Sequence, residues 1–250
     1  MIMSNSINAP SYYQATATPS SSYPPLLGEV RADVCVIGAG AGGLGAAITA
    51  SRLGAQTVLV EREKRLGGTT TNAGVSVWQP AVCCAPLCKE LYRRAAAAGV
   101  AHITRSGLKP DSPAPVKWYD PAAVYAYTMV RVYPWTREWA NGYVIAFGPS
   151  GYDRIAREML AETGNCRVLD ETEFCAAQIG AGRVSSVTVR EGDEEISVRA
   201  PWFIDCTGDV GLARSCGVPT RCGEDPRSLY GETGAPEQAS PRLNGVTLVY

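Results

Sequence analysis

The sequence predicts an α/β fold with a parallel sheet and a small antiparallel β-meander. Short apolar runs rich in β-branched residues lie at residues 32–38 and 56–61, with a helix-like segment between them. Such runs alternating with helices are typical of parallel sheets buried on both faces. Further strand-like runs at 166–179, 183–191 and 194–200 are separated by glycine-containing turns, which indicates the meander.

The other elements follow from caps, periodicity and glycine stops. Residues 1–28 are rich in Ser, Pro, Tyr and Thr and show no periodicity, so they are predicted to form a flexible leader. The remaining predictions, in chain order, are a helix over 41–54 closed by Gly54, a helix over 82–99, a helix over 150–164 with Ser150 as N-cap and Gly164 as its stop, a strand within 201–209, and a short helix over 210–217.

These elements suggest a division of the chain into domains. Residues 29–216 are expected to form one domain, with an inserted helical and irregular segment over about 82–149. Residues 217–250 follow this domain. Because the strand-like run at the end, RLNGVTLVY, has no turn or cap after it, we expect a truncated chain of reduced solubility.

Composition excludes several classes of protein. With 46% hydrophobic and 19% charged residues, the chain can bury a core and is not disordered over most of its length. A net charge of −1 argues against a nucleic-acid binder. No apolar run reaches the roughly 18 residues that a membrane span needs. The nine cysteines are an odd number and no secretory signal precedes them, so we expect a cytoplasmic location.

A glycine cluster follows the first buried strand and opens the first helix. It predicts a phosphate-binding loop in which Gly38 makes the tight turn and Gly40 lets the backbone approach a pyrophosphate. Gly43, with Ala47 one turn later, allows close helix–strand packing. The pyrophosphate would then meet the N-terminus of the helix. The predicted loop consists of Gly38, Ala39, Gly40, Ala41, Gly42 and Gly43.

Glu61 ends the second buried strand, close to the spacing of about 20 residues at which an acid binds the ribose hydroxyls of a dinucleotide. A carboxylate at this position disfavours the 2′-phosphate of NADP, although the adjacent Arg62 is able to serve a phosphate. The motif by itself leaves FAD and NAD open.

Two later segments decide between these cofactors. The candidate binding residues there are Gly67, Gly68, Thr69, Thr70, Thr71 and Asn72 in the second segment, and Thr207, Gly208 and Asp209 in the third. Together the three segments resemble the FAD-dependent oxidoreductases of the glutathione-reductase-like superfamily, over residues of about 32–80 and 150–220. The third motif reads C-T-G at Cys206 where that family commonly has A-T-G.

The resemblance implies a Rossmann-like FAD-binding domain that serves flavin-mediated hydride or electron transfer on an unidentified small-molecule substrate. By the same resemblance, residues 217–250 are expected to begin an incomplete substrate domain, so we expect this chain to show no turnover. Disulfide reductases of that superfamily carry two cysteines that correspond to Thr70 and Val75, so a disulfide reductase is argued against. The resemblance also implies that the segment between these two residues lies near the flavin ring.

Two other functions stay open: an NAD-dependent dehydrogenase and a non-catalytic truncated chain that binds flavin. No catalytic residue is assigned, no metal site is predicted, and the oligomeric state is unknown. His102 is predicted to have a structural or surface role, and Cys83, Cys84 and Cys88 to be buried on one helix. Aromatic residues are candidates for lining a substrate cavity: Trp118, Tyr119 with Asp120, and those within 133–143.

Overall fold

A computed structural model describes residues 28–75, 77–78, 86–105 and 143–243. The strands of this part are β1 (Gly28–Arg31), β2 (Val34–Ile37), β3 (Thr57–Val60), β4 (Val77–Trp78), β5 (Ala101–Arg105), β6 (Tyr143–Phe147), β7 (Cys166–Leu169), β8 (Thr172–Gly180), β9 (Arg183–Glu191), β10 (Glu194–Arg199) and β11 (Trp202–Asp205). The helices are α1 (Ala41–Arg52), α2 (Pro86–Ala97), α3 (Pro149–Ala161), α4 (Gly211–Ser215) and α5 (Arg227–Tyr230), and a 3₁₀ turn spans Gly68–Thr70.

A parallel sheet with the strand order β11-β2-β3-β7 forms the centre of the fold. Ile37 at the end of β2 pairs with Asp205 of β11 and with Val60 of β3. Val60 in turn pairs with Leu169 of β7. The four carboxyl ends therefore lie at one edge of the sheet, which is where ligands bind in open α/β sheets. The predicted α/β class is confirmed.

The two faces of this sheet contact different layers, because successive side chains of a strand point to opposite sides. Val36 and Leu59 pack in one cluster with apolar residues of α1, α2 and α3. Cys35 and Val58 pack in a second cluster with the meander strands. The result is a layer of helices, the parallel sheet, and an antiparallel sheet.

The meander consists of β8, β9 and β10, and β1 pairs in parallel with β10. The prediction of a meander strand over 166–179 is wrong in its first part, because Cys166–Leu169 pairs with β3 in the parallel sheet. Asp170 and Glu171 separate the two strands, and Glu171 adopts a φ of +50°. Because this turn contains neither glycine nor proline, the sequence has no strong turn signal between the two strands.

A third sheet with the order β4-β6-β5 lies partly within the segment predicted to be helical and irregular. His102 lies in β5 and pairs with Ala146 of the unpredicted strand β6. The helix predicted over 82–99 is confirmed over Pro86–Ala97 and contains Cys88. Several candidates lie outside the described residues: Cys83, Cys84, Trp118, Tyr119, Asp120 and the aromatics of 133–142, as do the leader up to residue 27 and the run 244–250.

Helix α3 begins differently from the prediction. Its N-cap is Gly148 and Pro149 occupies the first turn, so Ser150 is inside the helix and its predicted capping role is wrong. Proline suits the first helical position because its fixed φ is already helical and it has no N–H to leave unpaired. The predicted stop is confirmed, with Gly164 at a φ of +66° just past the helix end. None of the helices in the described ranges is long and apolar enough to cross a membrane.

Candidate cofactor site

The loop between β2 and α1 reverses direction at Gly38, whose φ is +93°. A Cβ atom on Gly38 would lie 2.5 Å from the carbonyl oxygen of Cys206. The left-handed conformation and this close approach both require glycine. The predicted tight turn is confirmed, and it lies directly against the end of β11.

Gly43 lets the first turn of α1 pack onto the same loop. A Cβ atom there would lie 1.8 Å from the carbonyl oxygen of Gly38 and 3.3 Å from the Cβ of Cys206. Ala47, one turn later, is fully buried in the cluster beneath the helices. The close helix–strand packing predicted for Gly43 and Ala47 is confirmed.

Gly40 faces open space at the N-terminus of α1. In the described part of the chain, no atom lies within 4 Å of a Cβ built on Gly40, and Ala41 and Gly42 are exposed. No side chain caps α1, and its first turn contains no acidic residue. The N–H groups of a first helical turn have no intrahelical acceptor and bind anions readily. This end of α1 is therefore suited to a phosphate group.

The second glycine segment contacts the first loop. The N–H of Gly67 donates to the carbonyl of Ala39 at 2.8 Å, and a Cβ on Gly68 would lie 3.0 Å from the Cα of Gly40. Gly67 and Gly68 adopt φ values of +115° and +52°. The segment is thereby fixed beside the open space at Gly40.

The polar side chains of this segment divide into two groups. Thr69 and Asn72 are exposed, whereas Thr70 and Thr71 are buried. The hydroxyl of Thr71 donates to the carbonyl of Leu66 at 2.8 Å, and the side-chain amide of Asn72 donates to the carbonyl of Arg65 at 2.8 Å. Thr71 and Asn72 thus hold the shape of the segment itself.

Glu61 lies at the end of β3 and is buried, with 8% of its surface exposed. Its Oε2 accepts a hydrogen bond from the N–H of Ala39 at 2.7 Å, and its Oε1 accepts one from the N–H of Glu63 at 2.9 Å. The neighbouring Arg62 is exposed and forms an ion pair with Glu63 at 3.2 Å. Glu61, the acid predicted to bind the ribose, is thus hydrogen-bonded to the backbone of the glycine loop at Ala39.

Asp205 organises the third segment, although the sequence motif gives it no role. Its Oδ1 accepts hydrogen bonds from the N–H and the hydroxyl of Thr207 at 3.0 and 2.7 Å. Its Oδ2 accepts one from the N–H of Ala213 at 2.9 Å, and the Thr207 hydroxyl oxygen accepts one from the N–H of Gly211 at 2.6 Å. One carboxylate therefore joins β11 to the first turn of α4. The sequence signal for it was its place at the end of an apolar strand.

The other two residues predicted in the third segment lie on the same turn. Gly208 is exposed, and Asp209 is half-buried with a carboxylate oxygen 3.8 Å from the Arg214 guanidinium. The N–H of Cys206, just before this turn, donates to the carbonyl of Ile37 at 2.8 Å. The structure therefore brings all three predicted segments to the carboxyl edge of the parallel sheet.

Helix α3 anchors the second segment from a distant part of the chain. Asp153 Oδ1 accepts hydrogen bonds from the N–H of Leu66 at 2.8 Å and from the Arg157 guanidinium at 3.0 Å. Arg157 also donates to the carbonyl of Lys64 at 2.6 Å and to Asp170 at 2.7 Å. Sequence reasoning missed both residues, because their charges have the spacing of an ordinary exposed helical pair.

Replacing Asp153 with alanine is expected to lower the free energy of unfolding by about 2 kcal/mol, because the N–H of the buried Leu66 loses its acceptor. Urea denaturation of the cofactor-free chain measures this loss. Glu158→Ala is the matched control on the same helix, since its exposed pair with Arg154 contributes less than about 0.5 kcal/mol. Equal losses in the two variants would contradict the anchoring role.

The cysteines of the core have raised pKa values. Burial raises the pKa of the Cys35 thiol to about 12. The pKa of Cys206 is raised by burial and then by the negative charge of Asp205. The Cys206 sulfur lies 4.0 Å from the position of a Cβ on Gly42, so it packs beside the glycine loop. Among the described residues, no group of three or more metal-ligating side chains is close enough to hold a metal ion.

A model of the family described as "FAD dependent oxidoreductase" matches residues 33–248. The chain belongs to the FAD dependent oxidoreductase family. The match includes all three glycine segments and confirms the resemblance seen in the sequence. It also implies FAD as the cofactor.

Two curated relatives match shorter stretches. The mitochondrial dihydrolipoyl dehydrogenase of Macaca fascicularis is 49% identical over 59 residues, which is 24% of this chain and 11% of the relative. The 3-oxosteroid 1-dehydrogenase of Mycolicibacterium smegmatis is 48% identical over 48 residues, 19% of this chain and 8% of the relative. The similarity spans only about a tenth of these relatives' lengths.

Solved structures resemble more of the chain at low identity. A geranylgeranyl bacteriochlorophyll reductase-like protein from Thermoplasma acidophilum has a TM-score of 0.49 at 17% identity, covering 79% of this chain and 45% of that one. An anhydrotetracycline hydroxylase from Streptomyces rimosus has a TM-score of 0.48 at 20% identity, covering 79% of this chain and 36% of that one. This chain thus spans less than half of either protein.

The residues at the carboxyl edge fit the cofactor that this family implies. A side chain on Gly40 would fill the space in front of the uncapped end of α1. The backbone of Gly67 and Gly68 extends the same surface. A glycine-lined surface at a free helix N-terminus is suited to the pyrophosphate of a dinucleotide.

Proposed function

We propose that this chain binds FAD at the carboxyl edge of its parallel sheet and serves hydride or electron transfer with a small-molecule substrate. The observation that carries the proposal is the meeting of three glycine segments beside one uncapped helix N-terminus. Gly67 bonds to Ala39 of the first loop, and Gly38 lies against Cys206 at the start of the third segment. A nucleotide loop of the simple NAD type requires only the first of these segments.

Each segment has a proposed part in holding the cofactor. The first-turn N–H groups of α1 would bind the pyrophosphate, and the carboxylate of Glu61 would accept hydrogen bonds from ribose hydroxyls. The second and third segments would contact the remainder of FAD through backbone groups and exposed side chains. The proposed contact residues are Gly38, Ala39, Gly40, Ala41, Gly42, Gly43, Glu61, Arg62, Gly67, Gly68, Thr69, Thr70, Thr71, Asn72, Thr207, Gly208 and Asp209.

Bound FAD would supply the redox chemistry, while the chain binds and orients it and excludes water. Thr70 is buried in the 3₁₀ turn, and Val75, five residues later, is exposed. Neither carries a thiol, which supports an oxidoreductase other than a disulfide reductase. The substrate is proposed only as a small molecule.

Titration of the purified chain with FAD and with NAD tests the proposal. We expect the flavin fluorescence of FAD to change when FAD binds to the chain. Bound FAD should also stabilise the folded chain, by about 2.7 kcal/mol at a concentration 100 times the dissociation constant. NAD at the same concentrations should leave the melting temperature unchanged. Stabilisation by NAD and not by FAD would support a dehydrogenase instead, and no response to either would contradict a cofactor site here.

A further inference from the structure

The carboxylate of Glu61 makes hydrogen bonds that an acid serving only to bind a ribose would not need. Both of its carboxylate oxygens accept hydrogen bonds from backbone N–H groups, those of Ala39 and Glu63. Both bonds are made within the chain itself. The carboxylate therefore has a structural partner in the glycine loop that does not depend on a ribose.

The backbone of Glu61 is also held on both sides. Its N–H donates to the carbonyl of Leu169 at 2.8 Å, and its carbonyl accepts from the N–H of the fully buried Thr172 at 2.9 Å. These two residues flank the turn between β7 and β8. The carboxylate thus extends from a fixed point between the parallel sheet and the meander.

The peptide groups of Ala39 are bound from two directions. Its N–H donates to Glu61 at 2.7 Å, and its carbonyl accepts from Gly67 at 2.8 Å. Ala39 lies between Gly38, which makes the tight turn, and Gly40, which faces the open space. Fixing Ala39 therefore fixes the direction of the backbone that leads into the first turn of α1.

We infer that Glu61 is a positioning residue, which holds the glycine loop in its phosphate-binding shape through the N–H of Ala39 before the cofactor binds. An alanine at position 61 would remove the acceptors of the N–H groups of both Ala39 and Glu63. The loop would then sample other conformations. Because binding would have to order the loop, the affinity for every ligand that uses its N–H groups would fall. The inference rests on the proposed function for the identity of the ligand only.

The first test uses the cofactor-free chain and amide hydrogen exchange. In Glu61→Ala, which removes both acceptor oxygens, exchange at Ala39 is expected to become roughly tenfold faster or more, while the amides of β2 and β3 exchange as before. Glu63→Ala is the matched control, since it removes an exposed carboxylate two residues away. Unchanged exchange at Ala39, or equally faster exchange throughout the sheet, would overturn the inference.

The second test uses inorganic pyrophosphate, which has no ribose. Its dissociation constant, measured from amide shifts of residues 38–43, is expected to be roughly tenfold higher in Glu61→Ala than in Glu63→Ala. Both variants lose one negative charge, so their net charges are equal. Loss of the Glu61 charge beside the loop would by itself favour the anion, so weaker binding cannot come from charge. Equal constants would show that Glu61 acts through ribose alone and would overturn the inference. A wild-type chain that binds no pyrophosphate would contradict the proposed function, and amide exchange would still decide the role of Glu61.

If Glu61→Ala does not fold, the wild-type chain decides the question. The Ala39 amide should exchange more slowly than the amides of Ala41 and Gly42, which lie in the first helical turn without an intrahelical acceptor. An Ala39 amide that exchanges as fast as those two would overturn the inference.

Discussion

Replacing Gly43 with alanine is expected to destabilise the cofactor-free chain by about 3 kcal/mol or more, at the upper end of the effects of overpacking. The added methyl group would lie 1.8 Å from the carbonyl oxygen of Gly38, and this neighbour is backbone in a tight turn. Relief of the clash requires the first turn of α1 to move away from β2. Chemical denaturation followed by circular dichroism measures the loss.

Gly42→Ala is the matched control, because it adds the same methyl group to the neighbouring residue of the same helix. Its nearest contact would be the sulfur of Cys206 at 4.0 Å, an ordinary van der Waals distance. Since alanine is favoured over glycine in helices by up to about 1 kcal/mol, this variant should be as stable as the wild type or more so. Equal stability of the two variants would contradict the close packing of α1 on the loop.

Gly40→Val is expected to fold normally and to lose FAD. A Cβ on Gly40 meets no atom of the described chain within 4 Å, and φ of −65° with ψ of −175° is a conformation that valine adopts. The change in unfolding free energy should therefore stay within about 1 kcal/mol. The side chain would occupy the space where the pyrophosphate is proposed to approach α1, so we expect the FAD dissociation constant to rise roughly 100-fold, or about 2.7 kcal/mol.

Flavin content after purification and fluorescence titration measure this effect, and thermal unfolding verifies the fold. Gly180→Val is a suitable control, because Gly180 ends β8 in the meander and a Cβ there also has no described neighbour within 4 Å. The control should retain wild-type FAD affinity. A folded Gly40→Val chain that binds FAD as tightly as the control would place the phosphate elsewhere.

The strand–helix–strand unit at the start of the fold was predictable because its signals are local. The buried runs of β2 and β3 need apolar β-branched residues, and α1 between them has the composition of a packed helix. Gly38 is required by its own φ value, so the sequence marks the turn directly. The position of Glu61 at the end of β3 followed from the same local pattern.

The partners of these residues were decided by tertiary structure. Asp153 binds Leu66 across 87 residues of sequence, and Glu61 binds Ala39 across 22. Nothing in the sequence near Glu61 distinguishes an acid that binds only a ribose from one that also accepts a hydrogen bond from a backbone N–H. Such a bond depends on how close the two segments are brought by the pairing of β2 with β3.

By itself, then, the sequence determined the α/β class, the order of the first elements and the glycine positions, since each depends on periodicity or on a backbone angle at one residue. Only the tertiary structure decided that β7 leaves the meander for the parallel sheet and that β1 joins β10. Strands pair through backbone N–H and carbonyl groups, and every residue carries both except proline, which lacks the N–H. The side chains of a short strand such as GEVR therefore do not indicate which strand it pairs with.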